Sequence, residues 1–122
     1  MASWQSGNAG EDAGRYRGWL VGHFVNETDD LRHSTEVEVK WGIHPAGDER
    51  TDWATGVHDR TILILISGRW RLDLAVSGQP DEPRTLTLDT GGDYVVWDKG
   101  VNHRWLAEED SVVLTVRWPS QQ

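Results

Sequence analysis

Short runs of β-branched and aromatic residues, separated by turn-forming residues, constrain the fold of this chain more than any other feature of its sequence. The runs are Arg17–Val25, Glu36–His44, Thr61–Ile66, Arg69–Val76, Arg84–Asp89, Asp93–Asp98, Asn102–Leu106 and Ser111–Trp118. Turn-forming residues separate them at Pro45–Gly47, Ser67–Gly68, Ser77–Pro80, Gly91–Gly92 and Lys99–Gly100. No long stretch shows a helical apolar period. The pattern predicts an all-β domain closed as a barrel or a double sheet, because open edges in so small a sheet invite aggregation.

Alternation along each strand predicts which side chains share a face. In Glu36–His44, the face with Glu38, Lys40 and His44 lies opposite a face of valine, tryptophan and isoleucine. Thr61–Ile66 is apolar on both faces. We therefore expect Thr61–Ile66 to be a central strand or to have one face against a second subunit.

The length of 122 residues fits one domain. Residues 1–14 are rich in glycine, alanine, serine and acids, without periodicity. We expect these residues to form a mobile tail, followed by a single domain over residues 15–122. The chain lacks both a signal-peptide pattern and an apolar run near the roughly 20 residues that cross a bilayer, so we expect a cytoplasmic protein.

The charge of the chain excludes several classes of partner. Twenty acidic and twelve basic residues give a formal net charge of −8, which repels nucleic-acid phosphates and acidic membrane surfaces. We therefore expect neither as a partner, and a neutral, aromatic or cationic small ligand is electrostatically easier to bind. The absence of cysteine excludes disulfides, thiolate metal sites and cysteine nucleophiles.

Eight tryptophans are an unusual number for a chain of this length. They are Trp4, Trp19, Trp41, Trp53, Trp70, Trp97, Trp105 and Trp118. Each ring can bury about 150–250 Å². The rings either fill the core of a small barrel or form the wall of an aromatic cavity, and the second interpretation gains weight where a tryptophan shares a strand face with a reactive residue.

The segment from Gly92 to His103 is similar to the second cupin motif. That motif runs glycine, five residues, proline, one residue, glycine, two residues, histidine. Gly92, Gly100 and His103 occupy its glycine and histidine positions, while Asp98 replaces the proline. Pro45–Gly47 and the run ending at Gly68 resemble parts of the first motif. The resemblance covers about residues 36–118 and implies a cupin-type double-stranded β-helix, or jelly-roll barrel, with a small-molecule ligand inside.

In metal-binding cupins the first motif supplies two histidines and a glutamate, and the second motif supplies another histidine. Here Thr61 occupies the glutamate position counted back from Gly68, and Trp53 and Thr55 occupy the histidine positions counted forward from Gly47. The resemblance leaves His103, a displaced His58 and His44 as candidate ligands of one divalent iron, manganese, nickel or zinc ion. Glu38 and Asp59 are candidate carboxylate ligands. The alternative is a barrel without metal.

Trp105 lies two residues after His103 and therefore shares its strand face. We expect both to point into the barrel, and we take Trp53, Thr55, Trp97 and Trp105 as candidate ligand-binding residues. His58 and His103 are the candidate catalytic residues, because imidazoles exchange protons near neutral pH. His23 and His33 lie outside the matched motifs, and we expect them to be structural or solvated.

Two functions fit these residues. The first is a small-molecule enzyme, either a metal-dependent dioxygenase, decarboxylase or isomerase, or a metal-free acid–base enzyme that uses His58 and His103. The second is a non-catalytic module that binds or senses a small ligand. The resemblance, the doubly apolar strand Thr61–Ile66 and the apolar run Trp19–Val21 together predict a homodimer.

Overall fold

The structure, a computed structural model, describes residues 2–26, 31–76 and 83–121. The turn expected at Ser77–Pro80 lies outside these residues. The elements are α1 (Ala9–Gly14), β1 (Trp19–Val21), β2 (Glu38–His44), β3 (Glu49–Thr55), β4 (Arg60–Ser67), β5 (Trp70–Val76), β6 (Arg84–Leu88), β7 (Tyr94–Asp98), β8 (Val101–Ala107) and β9 (Ser111–Trp118). This confirms the expected all-β architecture with one short helix. No helix that the structure describes is long and apolar enough to span a bilayer.

The strands form two antiparallel sheets. The five-stranded sheet has the order β1-β2-β9-β4-β7, and the four-stranded sheet has the order β3-β8-β5-β6. The core fills the space between them and contains Leu63, Leu65, Trp70, Leu72, Leu88, Trp97, Ala107 and Val113. The inward-facing residues of both sheets therefore define the interior of the barrel, and any site there must be built from them.

Strand β4 lies between β9 and β7, as its two apolar faces predicted. Its inward residues, Thr61, Leu63 and Leu65, are buried in the core, whereas the outward Ile66 is 42% exposed. One face of β4 therefore packs in the core, and the other lies on the outer surface of the sheet.

Strand β2 has its polar face inside the barrel. Glu38 is completely buried and Lys40 is partly buried, whereas Ile43, on the opposite face, is 63% exposed. Alternation predicted which residues share a face, but not that the polar face is the internal one. Helix α1 packs on the outer face of β2, where Gly10 approaches Trp41 and Ile43.

Two elements lie where the sequence predicted none. Strand β3 has the sequence ERTDWAT and is mostly exposed, so it lacks the apolar alternation by which the other strands were found. Helix α1 occupies residues 9–14 of the expected mobile tail. The side chain of Asn8 caps it by accepting a hydrogen bond from the Glu11 N–H at 3.2 Å, and Ala13 is only 1% exposed. An Asn cap and one buried alanine stabilise this helix. It is too short for an apolar periodicity to be recognised in the sequence.

Candidate functional site

A cavity of about 200 Å³ lies inside the barrel. Both sheets and the loop between β3 and β4 contribute to its wall. The lining residues are Trp19, Lys40, Arg50, Ala54, Thr55, Gly56, Val57, His58, Thr61, Leu63, Leu72, Trp97, His103, Trp105, Thr115 and Arg117. This cavity contains both candidate catalytic histidines and is therefore the candidate site.

A larger groove of about 670 Å³ lies beside β6 and β7. Its wall is mostly aliphatic, with Arg60, Arg84 and Asp98 as its charged residues. Trp97 is the one predicted site residue that lines it, and no histidine does. We therefore place the chemistry in the smaller internal cavity, although the groove has more space.

His103 and Trp105, both on β8, line the internal cavity, as the alternation of this strand predicts. The His103 ring lies 5.0 Å from the Trp97 ring, measured between centroids. His58 and Thr55 reach the same cavity from β3 and the loop that follows it. Five of the predicted site residues are thus brought together at one place.

Trp53 is not part of the cavity wall described by the structure, contrary to our expectation. On β3, Arg50 pairs with Trp105 and Ala54 pairs with His103, so three residues of β3 stand opposite Arg104 alone. Ala54 shares the inward side of His103, so its neighbour Trp53 points to the opposite face, whereas the count from the cupin motif had placed Trp53 inward. The Arg104 guanidinium carbon lies 4.2 Å from the centroid of the Trp53 ring, and Ala54 and Gly56 line the cavity instead.

His44 is also absent from the wall of this cavity. Its Nδ1 lies 2.7 Å from Asp48 Oδ2, and its ring centroid lies 4.7 Å from that of Trp105 and 5.0 Å from that of Trp70. Gly42 makes room for this ring, because a Cβ at residue 42 would lie 2.7 Å from His44 Nε2. His44 therefore packs in the aromatic part of the core and does not face the ligand space.

The side chains around the cavity do not fit a divalent metal ion. Among the described residues, no three histidine, aspartate or glutamate side chains are grouped so that they could hold one. His58 Nε2 is engaged with Glu38 Oε1 at 3.0 Å. Beside His103, the cavity wall presents Ala54, Gly56 and Thr61, none of which can replace an imidazole or carboxylate ligand. The set His58, His103 and His44 is therefore not assembled, and we derive no chemistry through a metal.

Three cationic side chains, Lys40, Arg50 and Arg117, line the cavity, and the sequence analysis did not identify them as site residues. The available signal was the polar face of β2, which carries Glu38 and Lys40. Glu38 and Arg117 also stand directly opposite each other on β2 and β9. Alternation alone could not have placed these charged side chains inside the barrel, because it does not say which face of β2 points inward.

Glu38 is the buried centre of an ionic network beside the cavity. Its Oε1 lies 2.7 Å from Arg117 Nε, but the two atoms are not aligned as a hydrogen bond. Ser120 Oγ donates a hydrogen bond to Glu38 Oε2 at 3.1 Å, and His23 Nδ1 lies 2.7 Å from the same Ser120 oxygen. The network joins β2 and β9 to the C-terminal segment, which gives His23 the structural role expected from the sequence.

The electrostatics of the cavity disfavour further positive charge. Burial lowers the pKa of Lys40, and the charges of Arg117 and Arg50 lower it further. Burial also lowers the pKa of His103, with the Val101 carbonyl opposing and Arg50 and Arg117 adding to the effect. For His58, burial and Arg117 lower the pKa and outweigh Glu38 and the Ser120 backbone. Both imidazoles are therefore favoured in their neutral forms near neutral pH.

No protein-family model matches the sequence, and no curated protein matches it. Solved structures do match the fold. The cupin domain of Drosophila melanogaster CENP-C superposes with a TM-score of 0.57 at 14% identity, over 75% of this chain and 64% of that one. KdgF from Halomonas sp. gives 0.56 at 23% identity, over 71% and 73% of the two chains.

A Bacillus subtilis oxalate decarboxylase superposes with a TM-score of 0.61 at 17% identity, over 71% of this chain and 22% of that one. At these identities the likeness concerns the fold and not the activity. The two antiparallel sheets, the internal cavity and the segment Gly92–His103 agree with it. The fold of this chain is that of a small cupin, a jelly-roll barrel of two antiparallel sheets.

Proposed function

We propose that this protein binds a small organic molecule in the internal cavity of the barrel, without a resident metal ion. The observation that carries the proposal is the internal cavity of about 200 Å³, whose wall includes His58, His103, Trp97 and Trp105. Concave spaces lined by aromatic side chains and a few polar groups are where proteins typically bind small molecules.

The composition of the cavity wall supports the same function. Aromatic and aliphatic residues such as Trp105, Leu63 and Leu72 provide apolar surface, and histidine, threonine, lysine and arginine side chains provide polar groups. Small-molecule sites in proteins combine apolar wall surface with placed polar groups that orient the ligand. Ala54, which pairs with His103 across β3 and β8, contributes only a methyl group to this part of the wall.

Acid–base catalysis on the bound molecule is a second candidate function. It is favoured by two histidines with lowered pKa values at one cavity, since a neutral imidazole can accept a proton near neutral pH. Binding alone would survive replacement of His58 by glutamine, whereas turnover would be lost. Product formation from a bound ligand, followed by mass spectrometry, separates the two functions.

The test of binding uses the native protein. Native mass spectrometry and elemental analysis of the full chain should show a small molecule, or its uptake from a fragment screen, without stoichiometric metal. Ala54→Leu should abolish uptake, because the added carbons fill the space beside His103, and Ala46→Leu on the exposed turn after β2 is the matched control. Uptake that is unchanged in Ala54→Leu, or stoichiometric metal that binding requires, would overturn the proposal.

A further inference from the structure

We propose that the ligand of the internal cavity is a small organic anion, whose charged group is held by Lys40, Arg50 and Arg117. The inference rests on the proposed function and names the class of ligand. Its main observation is that the cavity wall is positively charged although the whole chain is negatively charged. The chain carries a formal net charge of −8, yet the described residues that line the cavity include three cations and no aspartate or glutamate.

Two of the three cations have no acidic partner. Among the described residues, no carboxylate forms an ion pair with Lys40 or Arg50, whereas Arg117 is paired with Glu38. Arg50 is exposed, and within the described part of the chain its Nε donates a hydrogen bond to the backbone carbonyl of Asp52 at 3.2 Å. The cavity therefore holds positive charge that the protein itself does not neutralise.

The ring of Trp19 positions two of the cations at one side of the cavity. Lys40 Nζ lies 5.6 Å from the ring centroid, and the Arg117 guanidinium carbon lies 4.4 Å from it. Cation–π contacts of this kind hold cationic side chains in place without neutralising them. The charged groups are thus ordered before any ligand binds, which reduces the entropy cost of binding an anion.

The cations also repel one another. Arg117 and Arg50 both lower the pKa of Lys40, in addition to the effect of its burial. A protein gains no stability from such an arrangement, and charges that are costly for the fold are typical of functional sites. An anion bound between these groups replaces repulsion by attraction and by charge-assisted hydrogen bonds.

The remainder of the ligand must be compact and largely apolar. The cavity measures about 200 Å³, and Trp105, Leu63 and Leu72 give part of its wall an apolar surface. An aromatic or short branched acid has this shape and chemistry. Carboxylate and phosphate head groups fit the same cations, since both accept hydrogen bonds from lysine and arginine.

The test compares matched anionic and neutral probes on the full chain by isothermal titration calorimetry. The probes are benzoate, phenyl phosphate and the neutral benzamide, and sodium chloride at equal ionic strength controls for non-specific anion effects. We expect at least one of the two anions to bind about tenfold or more tightly than benzamide, a difference of about 1.4 kcal/mol. The preferred anion identifies the head group as carboxylate or phosphate.

Substitutions then test which cationic side chains bind the anion. Lys40→Met should weaken binding of the anion about tenfold relative to any change in the affinity for benzamide. Lys99→Met removes the same charge from the exposed turn between β7 and β8 and should have no effect. Arg50→Gln, with the exposed Arg15→Gln as its control, provides a second variant if Lys40→Met folds poorly.

The outcomes distinguish this inference from the proposed function. If benzamide binds as tightly as both anions, or if anion binding is unchanged in both Lys40→Met and Arg50→Gln, the anion proposal is overturned while binding in the barrel stands. If neither these probes nor the fragment screen gives binding that Ala54→Leu abolishes, both proposals fail.

Discussion

Glu38 and Arg117 face each other across β2 and β9, with Glu38 Oε1 2.7 Å from Arg117 Nε, at a point where the glutamate is completely buried. The same oxygen lies 3.0 Å from His58 Nε2. One carboxylate thus neutralises a guanidinium and contacts an imidazole beside the ligand cavity. Because burial removes the water that would otherwise solvate these charges, each partner depends on the other for stability.

Glu38→Gln should destabilise the protein by about 3 kcal/mol, because it leaves the partly buried Arg117 without its opposite charge. Urea denaturation at pH 7.5 measures the loss. Glu49→Gln, on the exposed strand β3, should change the free energy of unfolding by less than about 0.5 kcal/mol. The double variant Glu38→Met, Arg117→Met should recover most of the loss. Equal stability of Glu38→Gln and the wild type would show that the buried pair contributes little.

The second prediction concerns acid stability. The pKa values of His58 and His103 are lowered in the folded state from their ordinary value of 6.5, so the unfolded chain takes up protons at a higher pH than the folded protein. The free energy of unfolding should therefore fall as the pH drops below about 6.5, and it should level off below the folded pKa values.

Urea midpoints between pH 7.5 and 5 measure this dependence, and His103→Gln should make it shallower. If the free energy of unfolding rises on acidification through this range, the pKa values of these histidines are not lowered in the folded state. A slope unchanged in His103→Gln would show that His103 does not contribute to it.

Lys40→Met should stabilise the ligand-free protein by about 1 kcal/mol. The ammonium is partly buried without an acidic partner and is repelled by Arg117 and Arg50, whereas methionine fills similar space without charge. The free energy of unfolding in urea measures the change, with Lys99→Met as the surface control. Destabilisation by Lys40→Met would mean that the contact of the ammonium with Trp19 outweighs the repulsion.

Much of the fold follows from local patterns in the sequence. The strand that carries His103 and Trp105 was located from its turn glycines, and alternation placed both side chains inside. On β5, Trp70 and Leu72, two residues apart, are likewise both buried to 1% exposure. These predictions hold because a strand with one apolar face leaves little choice of orientation.

The candidate site was less predictable, because it depends on features that carry no local signal. On β3 the inward residue is Ala54, which pairs with His103, so the neighbouring Trp53 faces away from the cavity, and the motif count could not establish which of the two is inward. Lys40 and Arg117 are internal because the packing of whole sheets, including α1 on the outer face of β2, decides which face of β2 is buried. Which face of a strand is buried here depends on tertiary packing, so the cationic cavity could be identified only from the folded structure.

The last prediction is that two copies associate through the outer face of the five-stranded sheet. Its exposed apolar side chains include Tyr94 at 60%, Val96 at 49% and Ile66 at 42%. The outward positions of β4 from 62 to 66 and of β9 from 112 to 116 are all aliphatic. A second copy presents the same uncharged surface, so a two-fold interface would bury no unpaired charge. Trp19, which we expected to contribute, lines the internal cavity instead.

Sedimentation velocity at micromolar concentration should show a dimer for the wild type. Tyr94→Asp should shift the chain toward the monomer, because the interface would then have to desolvate a carboxylate from each copy. The fold itself should be unaffected, since Tyr94 is mostly solvent-exposed in the single chain. Thr87→Asp places the same charge on an exposed residue of β6, in the other sheet, and should leave the dimer intact. A monomeric wild type, or equal dimerisation of the two variants, would show that this sheet face is not the interface.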